Sequence, residues 1–367
     1  MQSNPENALD PNIHPQADLV LALDAMGGIN APLVVLEGAE MALKRYPNLK
    51  FMIFGDKTKL LPFLKDKQDL FSVTSLVHTE SVVDDTMKPA VALRACRQSS
   101  MALAVKAVSE GKASGVISGG NTGAYMAFSK ILLKTVKGIS RPAIASYLPT
   151  QHLGEIVMLD LGANVSCDPL NLIEFSIMGS VFATDVLGYR EPSVGLLNIG
   201  EEDLKGNSVL KEAAAYLKAF SGINFHGFIE GDDIAKGTVD VVVTDGFTGN
   251  VALKAIEGTA RLVRSFLKDA FASSFWGRVG YLFASPALKR VSQKLNPSQY
   301  NGAIFLGLNG IAIKSHGSTD ALGFASAISV AVDMVSHGFK SQIEEKMEKF
   351  SLFKETFDYA VETRKDH

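Results

Sequence analysis

The chain has 367 residues, 47% hydrophobic and 20% charged, which is ample for one large core or two intimately packed ones. A formal net charge of −3 excludes a protein that wraps nucleic acid electrostatically. Its two cysteines, Cys96 and Cys167, exclude a disulfide framework and fit a reducing compartment.

Residues 1–17 are polar, carry Pro5, Pro11 and Pro15, and lack an apolar signal-peptide segment, so they read as a disordered extension. Short apolar runs then alternate with longer helical patterns. Strands are expected at Leu19–Leu23, Phe51–Phe54, Val73–Val77, Gly115–Ser118, Ala143–Tyr147, Ile156–Leu159, Val194–Asn198, Phe225–Ile229 and Val239–Thr244. Helical periodicity marks Ala31–Arg45, Val91–Glu110, Ala124–Thr135, Ser208–Ala219, Val251–Ala270 and Asp320–His337. Several strands are continuous apolar runs, as burial on both faces of a sheet requires. The alternation predicts an α/β fold of three α/β/α layers around a doubly wound, mostly parallel sheet.

Between Phe266 and Leu295 this rhythm stops. Two helical stretches meet around Gly277–Gly280, with Pro286 in the first turn of the returning helix. The expectation is a helical hairpin, about residues 255–297, projecting from a single domain of residues 18–350, with 351–367 as a C-terminal tail. No run of eighteen apolar residues occurs, so a soluble, cytoplasmic protein is expected.

Five strand ends run into similar turns: Asp24-Ala25-Met26-Gly27-Gly28, Ser118-Gly119-Gly120-Asn121-Thr122-Gly123, Asp160-Leu161-Gly162-Ala163-Asn164, Asn198-Ile199-Gly200-Glu201-Glu202 and Thr244-Asp245-Gly246-Phe247-Thr248-Gly249-Asn250. Ligands of open α/β sheets bind at the carboxyl edge. Glycines let backbone N–H groups approach an anion, which helix amino ends favour. Any one of these turns reads as simple turn chemistry, with Asp24, Asp160 and Asp245 bonding their own backbone N–H groups. Five together read as a phosphate or carboxylate site.

Lys205, just past a strand end, is either a solvated loop lysine or the charge that neutralises an anion. Arg94 and Arg141 are each structural or anion-clamping. Cys167 has no histidine near it in sequence and reads as a packed residue rather than an acyl-carrying nucleophile. No two glycines are separated by one residue, which removes the dinucleotide fingerprint, and there is no P-loop, G-x-S-x-G elbow or H-E-x-x-H. No metal site is expected. The hairpin crowds Phe275, Trp276, Val279, Tyr281, Leu282 and Phe283 at its tip beside Lys268, Arg278, Lys289, Arg290 and Lys294. That composition suits a segment dipping into an anionic bilayer surface, or alternatively a dimer interface or small local core.

The segments LALDAMGG, MKPAVALRACRQSSM, GVISGGNTGAYM, LDLGAN, LLNIGEEDLKGN, VVTDGFTGNVALK and FLGLNGIAIKSHGS occur in this order between about residues 19 and 337. In these the chain resembles the bacterial phosphate acyltransferases of phospholipid synthesis (acyl-ACP:phosphate transacylases, the PlsX family). It departs from the family's usual pattern at Ile29, at Val165-Ser166-Cys167 and at Tyr300-Asn301-Gly302-Ala303-Ile304.

The resemblance implies a fold similar to isocitrate dehydrogenase and phosphotransacetylase, and a homodimer. It implies conversion of fatty acyl-ACP and inorganic phosphate to acyl phosphate and acyl carrier protein. A membrane glycerol-3-phosphate acyltransferase would then use the product. This places the chain in the cytoplasm, at the inner face of the cell membrane, with no cofactor and no nucleic-acid partner. By motif position it implies Lys205 and Asn250 as catalytic. Asp24, Gly27, Gly28, Gly120, Asn121, Thr122, Gly123, Asp160, Asn164, Asp245, Gly246 and Thr248 are implied in phosphate or substrate binding. A short-chain acyl-CoA phosphotransferase, a hydroxyacid dehydrogenase on the same scaffold and a non-catalytic membrane-surface scaffold are the alternatives.

Overall fold

The computed structural model describes residues 19–151, 154–294, 302–336 and 338–365. The expected extension 1–17 and residues 295–297 of the expected hairpin lie outside the described residues, as do the side chains of Lys289, Arg290 and Lys294.

In chain order the elements are β1 (Leu19–Asp24), α1 (Leu33–Arg45), β2 (Leu49–Gly55), α2 (Lys57–Lys65), α3 (Gln68–Ser72), β3 (Thr74–His78), α4 (Pro89–Ala95), α5 (Ser100–Ser109), β4 (Gly115–Ser118), α6 (Thr122–Leu133), β5 (Ala143–Pro149) and β6 (Glu155–Leu159). There follow α7 (Pro169–Leu187), β7 (Ser193–Leu197), α8 (Ser208–Ala219), β8 (Asn224–Ile229), α9 (Asp233–Lys236), β9 (Val241–Val243), α10 (Gly246–Ala272), α11 (Phe275–Lys294), β10 (Ala303–Leu306), β11 (Ile311–Lys314), α12 (Ala321–Ser336) and α13 (Phe339–Lys365). The nine expected strands are all present. Helices α2, α3, α9 and α13 add to the expected ones, and five further points differ from the sequence expectation.

The helix expected across Val91–Glu110 is two helices. The Cys96 N–H closes α4 on the Ala92 carbonyl, and the Ser99 hydroxyl caps α5 by accepting from Ala102 N–H at 3.2 Å. Helix α7 was not expected, because burial around most of its circumference, from Leu172 to Ala183, leaves no polar stripe to set a period. Its ends were legible: Asp168 and Asn171 form a capping box, Pro169 opens the first turn, and Gly188 closes it left-handed. Strands β10 and β11 are only four residues each, too short to stand out from their surroundings.

The hairpin turns at Ser273-Ser274, earlier than the expected Gly277–Gly280. The Ser274 hydroxyl accepts from Gly277 N–H at 2.9 Å, so α11 starts there and Pro286 falls in its interior rather than its first turn. Residues 351–365, set apart above as a tail, continue α13. Phe353 and Phe357 pack against Phe220 and Tyr216, with ring centroids 5.3 and 5.0 Å apart, so an apolar face holds this stretch in place.

One sheet of eleven strands runs β3-β2-β1-β4-β11-β10-β5-β6-β9-β7-β8. The first five strands are mutually parallel, and so are β6, β9, β7 and β8. Between them β10 pairs antiparallel with β11 and β5, and β5 antiparallel with β6, so the two parallel halves run in opposite senses. From β4 to β9 is five strand steps, and at roughly 20–25° each the accumulated twist is on the order of 100°, which offsets much of that reversal.

Alternation along the strands feeds two cores, one on each face. Leu21, Leu23, Val241 and Val243 face α1, α7, α8, α12 and α13, while Ala22, Val116, Val242 and Ala312 face α4, α5 and α6. This is the three-layer arrangement the sequence predicts. By length and composition α7 passes for a membrane span, but 78% of its apolar window is buried in the protein, so it is a core helix.

Candidate active site

The five glycine-rich turns do not share one edge of a uniformly parallel sheet. They fall into two groups, one in each half.

The first group closes β1, β4 and β11. Asp24, Ser118 and Lys314 end these adjacent parallel strands in register, so their side chains project from the same face of the sheet. The Ser118 hydroxyl donates to Asp24 Oδ2 at 2.7 Å and accepts from Gly120 N–H at 3.1 Å. Asp24 Oδ1 accepts from Met26 N–H at 3.3 Å, so the carboxyl holds its own turn. Burial pushes the Asp24 carboxyl above its usual range, against the hydrogen bond from Ser118 that pulls it down. Gly27 lies so close to its neighbours that a Cβ there would meet Asp24 Oδ2 and come within 2.7 Å of Gly120 N. Ile29 N–H donates to the Gly317 carbonyl at 2.8 Å, joining the β1 turn to the β11 turn.

Asn121 caps α6, its Oδ1 accepting from Ala124 N–H at 3.0 Å. Its side-chain amide donates to the carbonyls of Asp84, Asp85 and Met87 at 2.9–3.2 Å. Asn121 therefore anchors the 84–87 loop rather than reaching into open space. Ile29, Asp85, Gly119, Gly120, Thr122, Lys314 and His316 border a cleft of about 280 Å³.

Lys314 is buried, 8% exposed, and burial pushes its ammonium down to about 8, opposed by Asp85 and Asp24. Burial and the neighbouring Lys314 charge also lower the His316 imidazole. Lys314 and His316 lie in the IAIKSHGS segment, outside the site residues that the resemblance implies. A lysine ending the short alternating run Ile311-Ala312-Ile313 was the available signal.

The second group closes β6, β7 and β9. Asp160 Oδ1 accepts from the N–H groups of Ile144, Gly162 and Ala163 at 2.9–3.2 Å. Its Oδ2 accepts from Asn164 N–H at 2.7 Å and Asn164 Nδ2 at 2.9 Å. Asn164 also donates to the Pro142 carbonyl at 2.8 Å, so it staples the loop. Asp245 caps α10, accepting from Thr248 N–H at 2.9 Å and the Thr248 hydroxyl at 2.8 Å. Gly246 N–H donates to the Asn164 carbonyl at 2.8 Å, tying the two turns together.

Asn250, in the first turn of α10, donates one amide hydrogen to the Leu161 carbonyl at 3.0 Å. An amide has two, and the second has no protein acceptor among the described residues. The Cys167 thiol nearby is pushed up to about 12, chiefly by burial and then by Asp160 and Asp245. Arg141 is exposed and donates to the Ser166 carbonyl at 3.2 Å; Arg94 is exposed in α4.

Lys205 lies on the loop after β7, which neighbours β9 in the sheet, so its loop leaves beside the Asn250 turn. Its side chain is exposed, packs along Gly200, and makes no hydrogen bond or ion pair among the described residues. Helix α10 links the two groups: it starts at Asp245, and its Lys254, Glu257 and Arg261 lie close enough to act on the charge of His316. Beyond them the hairpin exposes Phe275, Trp276, Leu282 and Phe283, the last at 83%, while Val279 is half-buried and Phe271 packs against Tyr281 at 5.6 Å. Among the described residues no group of His, Cys, Asp and Glu is placed to hold a metal ion.

Among the described residues the arrangement offers backbone donors, helix amino ends and two lysines, and the one nearby thiol, Cys167, is pushed up rather than activated. Known proteins resemble the chain as a whole. A phosphate acyltransferase of Paramagnetospirillum magneticum is 52% identical over 334 residues, covering 91% of this chain and 95% of that one. A phosphate acyltransferase of Rhodospirillum rubrum is 50% identical over 339 residues, covering 92% and 97%. Among solved structures, the EutD phosphotransacetylase from Staphylococcus aureus superposes with a TM-score of 0.56 at 16% identity, covering 87% of this chain and 94% of that one. A branched-chain phosphotransacylase from Enterococcus faecalis gives 0.55 at 16% identity, covering 87% and 99%. These two show the shared fold. The family model described as fatty acid synthesis protein matches residues 19–342. With that match, and with relatives half-identical over nine-tenths of its length, the chain belongs to the fatty acid synthesis protein family and is a phosphate acyltransferase.

Proposed function

We propose that the chain transfers a fatty acyl group from an acyl-ACP thioester directly to inorganic phosphate. A phosphate oxygen attacks the thioester carbonyl carbon, the C–S bond breaks, and the carrier thiolate leaves. The observation that carries direct transfer is the Cys167 thiol, which burial and the adjoining Asp160 and Asp245 carboxylates push up to about 12, so it stays protonated at neutral pH beside the donor amide of Asn250. Phosphate dianion is a competent nucleophile and thiolate a good leaving group, so positioning and electrostatics suffice.

In this reading Lys205 and the open amide hydrogen of Asn250 stabilise the oxyanion that develops on the thioester carbonyl. The exposed basic side chains Arg261, Arg264, Lys268 and Arg278 lead away from the site along the hairpin and suit an acidic carrier protein. The apolar tip beyond them suits a bilayer surface, with the base of the hairpin joining two copies into a homodimer. Acyl phosphate released there would serve glycerol-3-phosphate acylation at the inner face of the membrane.

Thiol release from palmitoyl-ACP, measured with and without phosphate and with detection of acyl phosphate, tests the reaction. Phosphate-independent release, or an acyl group trapped on the protein, would refute direct transfer. A preference for acetyl-CoA over palmitoyl-ACP would instead make the chain a short-chain phosphotransferase.

A further inference from the structure

We propose that Lys314 and the amino end of α6 form the subsite that holds inorganic phosphate before transfer, in the cleft bordered by Asp85 and His316. The assignment rests on acyl transfer to phosphate and adds to it where the nucleophile sits.

The argument starts with a buried charge. Lys314 Nζ donates to the Gly119 carbonyl at 3.2 Å and to the Ser315 carbonyl. An ammonium has three N–H groups, and among the described residues no carboxylate lies within 4.0 Å of this one. A buried ammonium without a contacting anion is costly, and its side chain lines an open cleft. Asp24, two strands away in the same row, is committed to Ser118 and Met26.

The cleft completes an anion's coordination from the other side. Gly119, Gly120, Asn121 and Thr122 line it, where the amino end of the twelve-residue α6 presents backbone N–H groups. The Asn121 side chain is fully occupied with the 84–87 carbonyls, so that end is fixed before any ligand arrives. His316 Nδ1 accepts from Ser318 N–H at 3.3 Å and lies 2.9 Å from the Ser318 hydroxyl. The neutral imidazole then carries its proton on Nε2, as an uncharged donor.

Asp85 is the one carboxylate bordering the cleft among the described residues, and it opposes an anion. At about 280 Å³ the cleft is larger than a tetrahedral oxyanion needs, which leaves room for the thioester carbonyl beside it.

The test uses the full chain and two variants. Lys314→Met keeps the aliphatic stem and should raise KM for phosphate roughly 10- to 100-fold while moving the thioester KM by less than about twofold. Asp85→Asn, at the rim, should lower KM for phosphate by roughly two- to fivefold, and it carries the test alone if Lys314→Met does not fold. Calorimetric titration with inorganic phosphate alone gives an arm free of turnover: wild type should bind, and Lys314→Met should not. Binding to wild type without acyl transfer from any thioester would sink the reaction and leave the subsite standing. An unchanged phosphate KM, an absence of phosphate binding to wild type, or a shift in the thioester KM instead would overturn the subsite. The last result would place the carrier's phosphodiester arm in the cleft.

Discussion

Asp24 at the end of β1 and Asp160 just after β6 are both buried carboxyls that hold glycine-rich turns, and their surroundings separate them. Asp160 accepts from four backbone N–H groups and the Asn164 amide, and among the described residues it makes no ion pair. Its bonding capacity is spent within the protein, and it acts as a staple between the β5, β6 and β9 ends. Asp24 receives fewer bonds and ends a row with Ser118 and the buried Lys314. Two similar sequence motifs thus give a saturated joint in one half and an incompletely neutralised charge beside a cleft in the other. Unfilled capacity next to a cavity, rather than the motif itself, marks where an anion belongs.

The largest test of this contrast is stability. Asp160→Ala strips an acceptor from several buried donors and should cost roughly 4 kcal/mol, whereas Asp24→Ala should cost about 2 kcal/mol. Equal losses in urea unfolding would break the distinction. Gly249→Ala, whose Cβ would overlap the Asp160 carbonyl oxygen, should cost about 3 kcal/mol in the same assay.

Catalytic assignments in the second half are sharpened by Lys205→Ala and Asn250→Ala. Each should lower kcat by roughly 100-fold or more. Lys205→Ala should leave the melting temperature unchanged, since the side chain is exposed; Asn250→Ala should also lower it through the lost bond to Leu161. Full turnover in both variants would move the chemistry elsewhere.

A pH series then reads the first half. The Lys314 value of about 8 lies below the ordinary ~10.4 of an unfolded lysine, so between these pH values the unfolded chain binds more protons. The cost of the buried ammonium is therefore full below about pH 8 and is relieved as pH rises toward 10. Asp85 and Asp24 oppose this shift, and the Lys314 charge acts in turn on His316. Wild type should gain stability relative to Lys314→Met across that window while its phosphate affinity falls. Parallel stability profiles for the two proteins would remove the buried charge from the argument.

The smallest effect on stability belongs to the hairpin tip. Trp276→Ser with Phe283→Ser should change stability by less than about 0.5 kcal/mol, since both side chains are exposed. Flotation with anionic vesicles should still separate the variant from wild type by weaker binding. Equal flotation would leave the apolar tip to the second copy of the chain.

Much of the site was legible because its chemistry is local. Asp24, Asp160 and Asp245 bond to N–H groups two to four residues onward, a relation written in the sequence itself. The nine expected strands were likewise readable from short apolar runs, and family motifs named the reaction. Other elements escaped for definite reasons. Helix α7 is buried around most of its circumference and so has no polar stripe, and β10 and β11 are too short to set a pattern.

Those two short strands matter most. With β5, β10 reverses the sense of the sheet, which divides the five glycine-rich turns into two groups. With β4 and β1, β11 brings Lys314 into register with Ser118 and Asp24, from positions nearly two hundred and nearly three hundred residues away. The chain alone determined the turn chemistry, the layer architecture and the class of reaction, because each rests on contacts between near neighbours or on recognisable motifs. Only the tertiary structure decided which turns face one another and which lysine loses its water, because burial and strand register come from residues far apart in the chain.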